Sequence, residues 1–183
     1  MRIVGGDWRS RIIEFPDAPG LRPTADRVRE TLFNWLGQTM HGKNCLDLFS
    51  GSGALGFEAL SRGAAQVVMV ENNRNAFSAL ESNARLLDAA HAALRYADAG
   101  TYLRSSRDRF DVVFLDPPFD SEVLPQILDM LPGRLAESGL IYLETSKSLA
   151  DAAPGWRIVK QGKAGMVNFG LLAFDNESAG GTA

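Results

Sequence analysis

The sequence predicts a three-layer α/β/α domain on a mainly parallel sheet, and three observations predict it. Apolar runs of strand length alternate with stretches of helical periodicity along most of the 183 residues, the pattern of strands joined by helices that cover both faces of a sheet. One run, FDVVFLD at 110–116, is almost wholly apolar, as a strand buried on both faces must be. A glycine-rich run, GSGALG at 51–56, lies where a strand pattern passes into a helix pattern.

The elements follow in order. Residues 2–15 read as two short strands around a Gly5-Gly6 turn, and a loop with Pro16, Pro19, Gly20 and Pro23 comes next. Thr24 is the expected N-cap of a helix that keeps Val28, Leu32, Leu36 and Met40 at helical spacing and stops at Gly42. CLDLF is a short strand, and the glycine run opens a helix reaching about Arg62. QVVMVE at 66–71 is a strand. Residues 74–90 read as a helix with Ala76, Leu80, Ala84 and Leu87 on one face. ALRYAD is a weaker strand, 121–135 a helix, and LIYLE at 140–144 a strand. WRIVKQGKAGMVNFGLLAF reads as a closing hairpin, which places an antiparallel strand at or near one edge. The expected organisation is an extension and linker at 1–23, one main domain at 24–175 and a frayed tail at 176–183.

Composition bounds the function. Hydrophobic residues make up 45% and charged residues 22%, enough to bury a sizeable core. A net charge of -3 argues against coating nucleic acid by bulk charge but leaves room for a local basic face. Arg2, Arg9 and Arg11 stand against one acid, Asp7, and Arg157, Lys160 and Lys163 against none; such runs serve equally as solvated surface. The single Cys45 excludes an internal disulfide, and His41 and His91, far apart, make no metal cluster. With no secretion signal or apolar run of about 18 residues, a cytoplasmic protein without metal or membrane partner is expected.

The glycine run lets backbone approach a ligand and leaves helix N–H groups to bind it. Its G-x-G-x-x-G spacing also fits a dinucleotide, and a tight structural turn needs no ligand at all. Asp47, in the strand before it, disfavours a pyrophosphate and suits a ligand with a positive amino group. Glu71 ends the next strand, where a carboxylate can accept both hydroxyls of a ribose. Asp98 ends the third, where it could accept from an adenine amino group or cap a helix.

Asp116-Pro117-Pro118-Phe119 follows the strand FDVVFL, on the sheet edge where such folds bind ligands. Prolines lack N–H groups, so the turn offers carbonyl acceptors beside the Asp116 carboxylate. That pair matches the two donors of a planar amino group on a base. Holding both hydrogens favours a pyramidal nitrogen whose lone pair can attack a sulfonium methyl, and Asp116 stabilises the charge that develops. Phe119 can stack on the base. A rigid turn with a core aromatic is the structural alternative.

On these residues the chain resembles the bacterial small-subunit ribosomal RNA guanine-N2 methyltransferases of the RsmD type. The resemblance runs through RIVGGDWRSR, GLRPTADRVRETLFNWL, CLDLFSGSGALGFEALSRGA, FDVVFLDPPF and AGMVNFGLL; LRPTADRVRETLFNWL is its most specific segment. It implies a Rossmann-like class I methyltransferase fold of seven strands with one antiparallel, S-adenosyl-L-methionine as methyl donor with S-adenosyl-L-homocysteine as product, and 16S rRNA in a small-subunit particle or assembly intermediate as substrate. Asp47, Gly51, Ser52 and Gly53 match the cofactor loop, Glu71 the ribose acid, Asp98 the adenine-edge acid, and Asp116, Pro117, Pro118 and Phe119 the catalytic tetrapeptide. Phe49, Ser50, Asn72 and Ala99 flank these positions and complete the candidate cofactor set. The basic arm looks like the family's RNA-facing extension, with Arg2, Trp8, Arg9, Arg11 and Arg22 as candidate contacts; Trp8 serves equally as packing. Arg27 and Arg29 cannot share a helix face, so one is expected to pair with an acid such as Asp26 or Glu30. A monomer is expected.

Other readings stay open on sequence alone: methylation of adenine N6 in DNA or of a protein glutamine, a nicotinamide oxidoreductase, and a non-catalytic RNA-binding assembly factor. Asp116, where amino methyltransferases of the first kind often carry Asn, leans toward guanine N2. No hydride-transfer residue is found for the nicotinamide oxidoreductase reading.

Overall fold

A seven-stranded sheet in the order β3-β2-β1-β4-β5-β7-β6 organises the computed structural model, which describes residues 1–16, 24–119 and 121–175. The strands are β1 (Asn44–Asp47), β2 (Gln66–Glu71), β3 (Ala92–Tyr96), β4 (Phe110–Leu115), β5 (Leu135–Thr145), β6 (Arg157–Ala164) and β7 (Val167–Ala173). Strands β1 to β5 pair in parallel, and β7 runs antiparallel to both β5 and β6. The one antiparallel strand is therefore last in sequence and last but one in space. This is the Rossmann-like class I methyltransferase fold that the resemblance implies.

Alternation along the strands builds two cores. Cys45, Val67, Met69, Val112, Phe114, Tyr142 and Leu171 face one side, against α1 (Asp26–Trp35), α2 (Ala54–Ser61) and α3 (Arg74–Leu86). Leu46, Val68, Val70, Val113, Leu115, Ile141 and Leu143 face the other, against α4 (Ala99–Ser105), α5 (Leu124–Met130) and α6 (Leu149–Ala152). Burial on both faces explains why the central strands are nearly continuous in apolar residues.

Several elements differ from the sequence reading. The N-terminal segment forms a single antiparallel bridge, Arg2 to Ile12, in place of two strands, because turns occupy the residues between. Its Ile3 and Ile13 are fully buried in the same core as Leu32 and Phe33. Helix α1 stops at Trp35 because Gly37 takes φ +96, so Met40 reaches the core from a loop. Thr24 is not its cap; Ala25 holds that position without a side-chain bond. Helix α3 ends early, where Asp88 turns to φ 51, and Asn83 joins Ala76 and Leu80 on its buried face, with Ala84 packed half-buried against the same core. The expected helix at 121–135 divides into α5 and a 3-10 turn, Leu131–Arg134. Helices α4 and α6 lacked a sequence signal because each spans only two turns or fewer. The expected tail at 176–183 lies outside the described residues.

Candidate active site

The carboxyl ends of β1, β2, β4 and β5 bring most of the expected site residues to one edge of the sheet. Asp47 closes β1 and is 1% exposed. Its Oδ2 accepts from the Gly56 N–H at 3.1 Å, while Oδ1 is buried without a partner among the described residues. Burial pushes its pKa up to about 7; the Gly56 N–H opposes the shift, the charge of Glu71 adds to it and the Phe49 N–H opposes it again.

The glycine loop is held from several sides. Ser50 Oγ donates to the Asp47 carbonyl at 2.8 Å, and the Ser50 N–H reaches the Val70 carbonyl of β2 at 3.0 Å. Gly53 sits at φ +94, and a Cβ there would lie 2.4 Å from the Phe57 ring, so only glycine fits this turn. Glu71 accepts from the Gly51 N–H at 2.7 Å through Oε2 and from the Asn73 N–H at 2.7 Å through Oε1. Each carboxylate oxygen keeps a second lone pair for a hydroxyl donor. Ser52 Oγ is buried and, like Asp47 Oδ1, has no partner among the described residues. Two unpartnered buried polar atoms, one at the end of β1 and one on the glycine loop, cost free energy unless a ligand or water supplies the bonds.

Asp98 lies outside this tight cluster. It is exposed and caps α4, with Oδ1 accepting from the Thr101 N–H at 3.0 Å and the Thr101 hydroxyl at 3.3 Å. Asn72 is exposed past β2, Ala99 is buried in the first turn of α4, and Phe49 packs against the second core.

Asp116 emerges two residues beyond Phe114, whose register partner on β1 is Asp47. It meets a group that sequence reading missed. Thr24 Oγ1 lies 3.0 Å from Glu144 Oε1 and 3.4 Å from Asp116 Oδ2, and the Tyr142 hydroxyl donates to the same Glu144 oxygen at 2.8 Å. Burial, then the neighbouring charges of Glu144 and Asp47, push the Asp116 carboxyl well above the usual range, and the Thr24 bond opposes them. Glu144 is raised by burial against its bonds to Tyr142 and Thr24. Asp116 thus has two other buried acids, Asp47 and Glu144, as electrostatic neighbours at this sheet edge. Pro117 is buried, whereas Pro118 and Phe119 are exposed, Phe119 to 42%. The Pro118 carbonyl already accepts from the Ser121 N–H at 2.9 Å.

The basic arm divides by role. Arg2, Arg9 and Arg11 are exposed, Trp8 packs half-buried against the first core, and Arg22 lies outside the described residues. Of the two helix arginines, Arg27 is exposed and Arg29 is wholly buried, paired with Asp26 and, at 3.2 Å, with Glu58. Glu58 also accepts from the Val4 and Gly5 N–H groups at 3.0 and 2.8 Å, which fastens the arm to α2. Cys45 is buried core with its thiol pushed up to about 12, first by burial, as a residue without chemistry should be. No helix among the described residues is long and apolar enough to cross a membrane.

Comparison with known proteins is consistent along the chain. Residues 1–173 match the family described as "Conserved hypothetical protein 95". "Ribosomal RNA small subunit methyltransferase D" of Escherichia coli (strain K12) is 42% identical over 175 residues, covering 93% of this chain and 88% of the relative. Its namesake in Haemophilus influenzae is 39% identical over 178 residues, covering 93% and 92%. A solved Escherichia coli structure, the methyltransferase candidate yhhF, superposes with TM-score 0.83 at 38% identity over 94% of this chain and 96% of that one.

Proposed function

The chain belongs to the RsmD-type methyltransferase family, and on that premise we propose that it methylates the exocyclic N2 amino group of a guanine in 16S rRNA, within the small ribosomal subunit or its assembly intermediate. S-adenosyl-L-methionine, when bound, supplies an electrophilic methyl on a positively charged sulfur and leaves as S-adenosyl-L-homocysteine. The observation that carries the reading is the unpartnered buried Asp47 Oδ1 at the same sheet edge as Asp116.

The residues fit that group. Asp47 offers an ionisable acceptor to its amino end, and the backbone and hydroxyl of Gly51-Ser52-Gly53 surround it. Glu71 has lone pairs left for ribose hydroxyls, and the second carboxylate oxygen of Asp98, which the Thr101 cap does not use, is the acceptor we assign to the adenine edge. Asn72, Phe49, Ser50 and Ala99 complete the lining.

The acceptor pair for the guanine amine is Asp116 with the Pro117 carbonyl, since the Pro118 carbonyl is taken by Ser121. These two hold the amine's hydrogens and turn its lone pair out of conjugation. Asp116 then stabilises the positive charge that grows on nitrogen, an electrostatic contribution of about 3 kcal/mol for a well-placed group. Phe119, exposed beside it, stacks on the base. The guanine is reached unpaired or flipped out, because a paired amino group is already occupied. Arg2, Arg9 and Arg11 provide phosphate contacts.

The test is methyl transfer from labelled S-adenosyl-L-methionine to unmethylated small-subunit particles, DNA and protein in parallel, followed by mass mapping of the rRNA. The expected product is a single N2-methylguanine in 16S rRNA. Label confined to DNA or to protein glutamine overturns the reading.

A further inference from the structure

We propose that Glu144 shares the proton of Asp116 through the Thr24 hydroxyl, so that a Glu144–Thr24–Asp116 relay sets the charge of the catalytic carboxylate and receives the proton that the amine gives up. The inference rests on the methyl-transfer reading above.

The geometry carries it. Thr24 Oγ1 stands between the two carboxylates, 3.0 Å from Glu144 Oε1 and 3.4 Å from Asp116 Oδ2. A hydroxyl has one hydrogen and two lone pairs. It can donate to one carboxylate only, and it can accept from the other only when that one is protonated. The three groups come from the segment before α1, the end of β4 and the end of β5, so nothing local in the chain explains their meeting. Around Glu144 stand Tyr142 on its own strand, whose hydroxyl donates to Oε1, and the uncharged Phe169 opposite on β7. Asp47 on β1 adds a third negative charge near Asp116. Like charges a single hydroxyl apart resist ionising together, and the pair titrates as one system.

The proton balance closes without another reactant. The nitrogen that gains the methyl loses one hydrogen as a proton and keeps that bond's electron pair, while the pair of the broken carbon–sulfur bond leaves with sulfur. Asp116 takes the proton. Thr24 accepts it at Oγ1 while passing its own hydrogen to Glu144 Oε1, which restores both the hydroxyl and the Asp116 carboxylate. Glu144 then releases the proton to water. Glu144 acts through Asp116 and is a positioning residue.

The variants are Glu144→Gln, which keeps the Tyr142 and Thr24 bonds, Thr24→Val, which cuts the relay, and Thr24→Ser, which preserves it. In the ligand-free protein, carbon-detected NMR titration of the side-chain carboxyls is expected to lower the Asp116 midpoint by about one pH unit in Glu144→Gln, because the repelling charge is gone. With small-subunit particles, the acid limb of kcat moves to lower pH in Glu144→Gln. Thr24→Val loses roughly tenfold or more in kcat with little change in KM, and Thr24→Ser restores most of it. An unmoved Asp116 midpoint overturns the proposal. So does a Thr24→Ser enzyme no better than Thr24→Val. If the wild-type protein places no methyl on guanine N2, the parent reading fails, and the ligand-free titration still upholds or overturns the shared proton by itself.

Discussion

Asn83 and Glu14 exchange two hydrogen bonds: the Glu14 N–H donates to Asn83 Oδ1 at 2.7 Å, and Asn83 Nδ2 donates back to the Glu14 carbonyl at 2.9 Å. The same Nδ2 donates to the Ser52 carbonyl at 3.0 Å. One fully buried side chain on α3 therefore joins the N-terminal arm to the glycine loop. Asn83→Leu leaves the Glu14 N–H and two carbonyls without this partner, a loss of about 2–4 kcal/mol. The thermal midpoint is expected to fall, and the affinity for S-adenosyl-L-homocysteine to weaken severalfold as the loop loses its anchor. Calorimetry on the variant measures both, and unchanged cofactor affinity would show that the clamp serves the arm alone.

Glu58 ties three parts of the molecule together through Arg29, Arg62 and the Val4 and Gly5 N–H groups. Arg29 and Glu58 are both fully buried, so removing one strands the other. Arg29→Met is expected to cost about 3–5 kcal/mol by denaturant melts. Glu58→Gln should cost less than Arg29→Met, because an amide oxygen still accepts from the arm.

Asp47 gives the apo protein a pH dependence with a definite sign. Its folded pKa, about 7, lies above its ordinary 3.8 because of burial. The folded state therefore holds this proton more tightly than the unfolded chain, and stability falls as pH rises from about 4 to 7, then levels. Asp47→Asn removes that loss and is expected to be more stable than wild type by on the order of 2 kcal/mol above pH 7, with the difference vanishing near pH 4. The same variant should bind S-adenosyl-L-homocysteine poorly. In wild type, affinity should weaken by up to about tenfold per pH unit below pH 7 as the carboxylate is neutralised. Thermal melts and binding isotherms across pH 4–8 check both trends.

On the proposed mechanism, Asp116→Ala removes the acceptor that pins the amine while leaving the glycine loop intact. Turnover is expected to drop by roughly 100- to 1,000-fold, with cofactor affinity within a few fold of wild type. Single-turnover methylation beside cofactor binding separates the two; methylation at the wild-type rate would remove Asp116 from the chemistry.

The sheet was legible in the sequence because its evidence is local. Each central strand carries its own apolar run, and QVVMVE matches β2 residue for residue. The glycine loop, Glu71 and Asp116 were legible because each stands at a strand end, and parallel strands deliver their ends to one edge. Element ends were less legible, since Gly37 and Asp88 stop helices whose apolar spacing continues past them.

What the sequence determined by itself is the order of the seven sheet strands and of the longer helices, and the strand-end positions of the candidate site residues, for these follow from periodicity and from motifs a few residues long. Only the tertiary structure decided that Thr24 serves Glu144 and Asp116 rather than a helix, that Asn83 locks the arm to the loop, and that Arg29 is buried. Those partners lie 120, 92, 69 and 29 positions apart in the chain. A polar side chain's role is set by whatever donor or acceptor folding brings within about 3 Å of it, and no neighbouring residue carries that information.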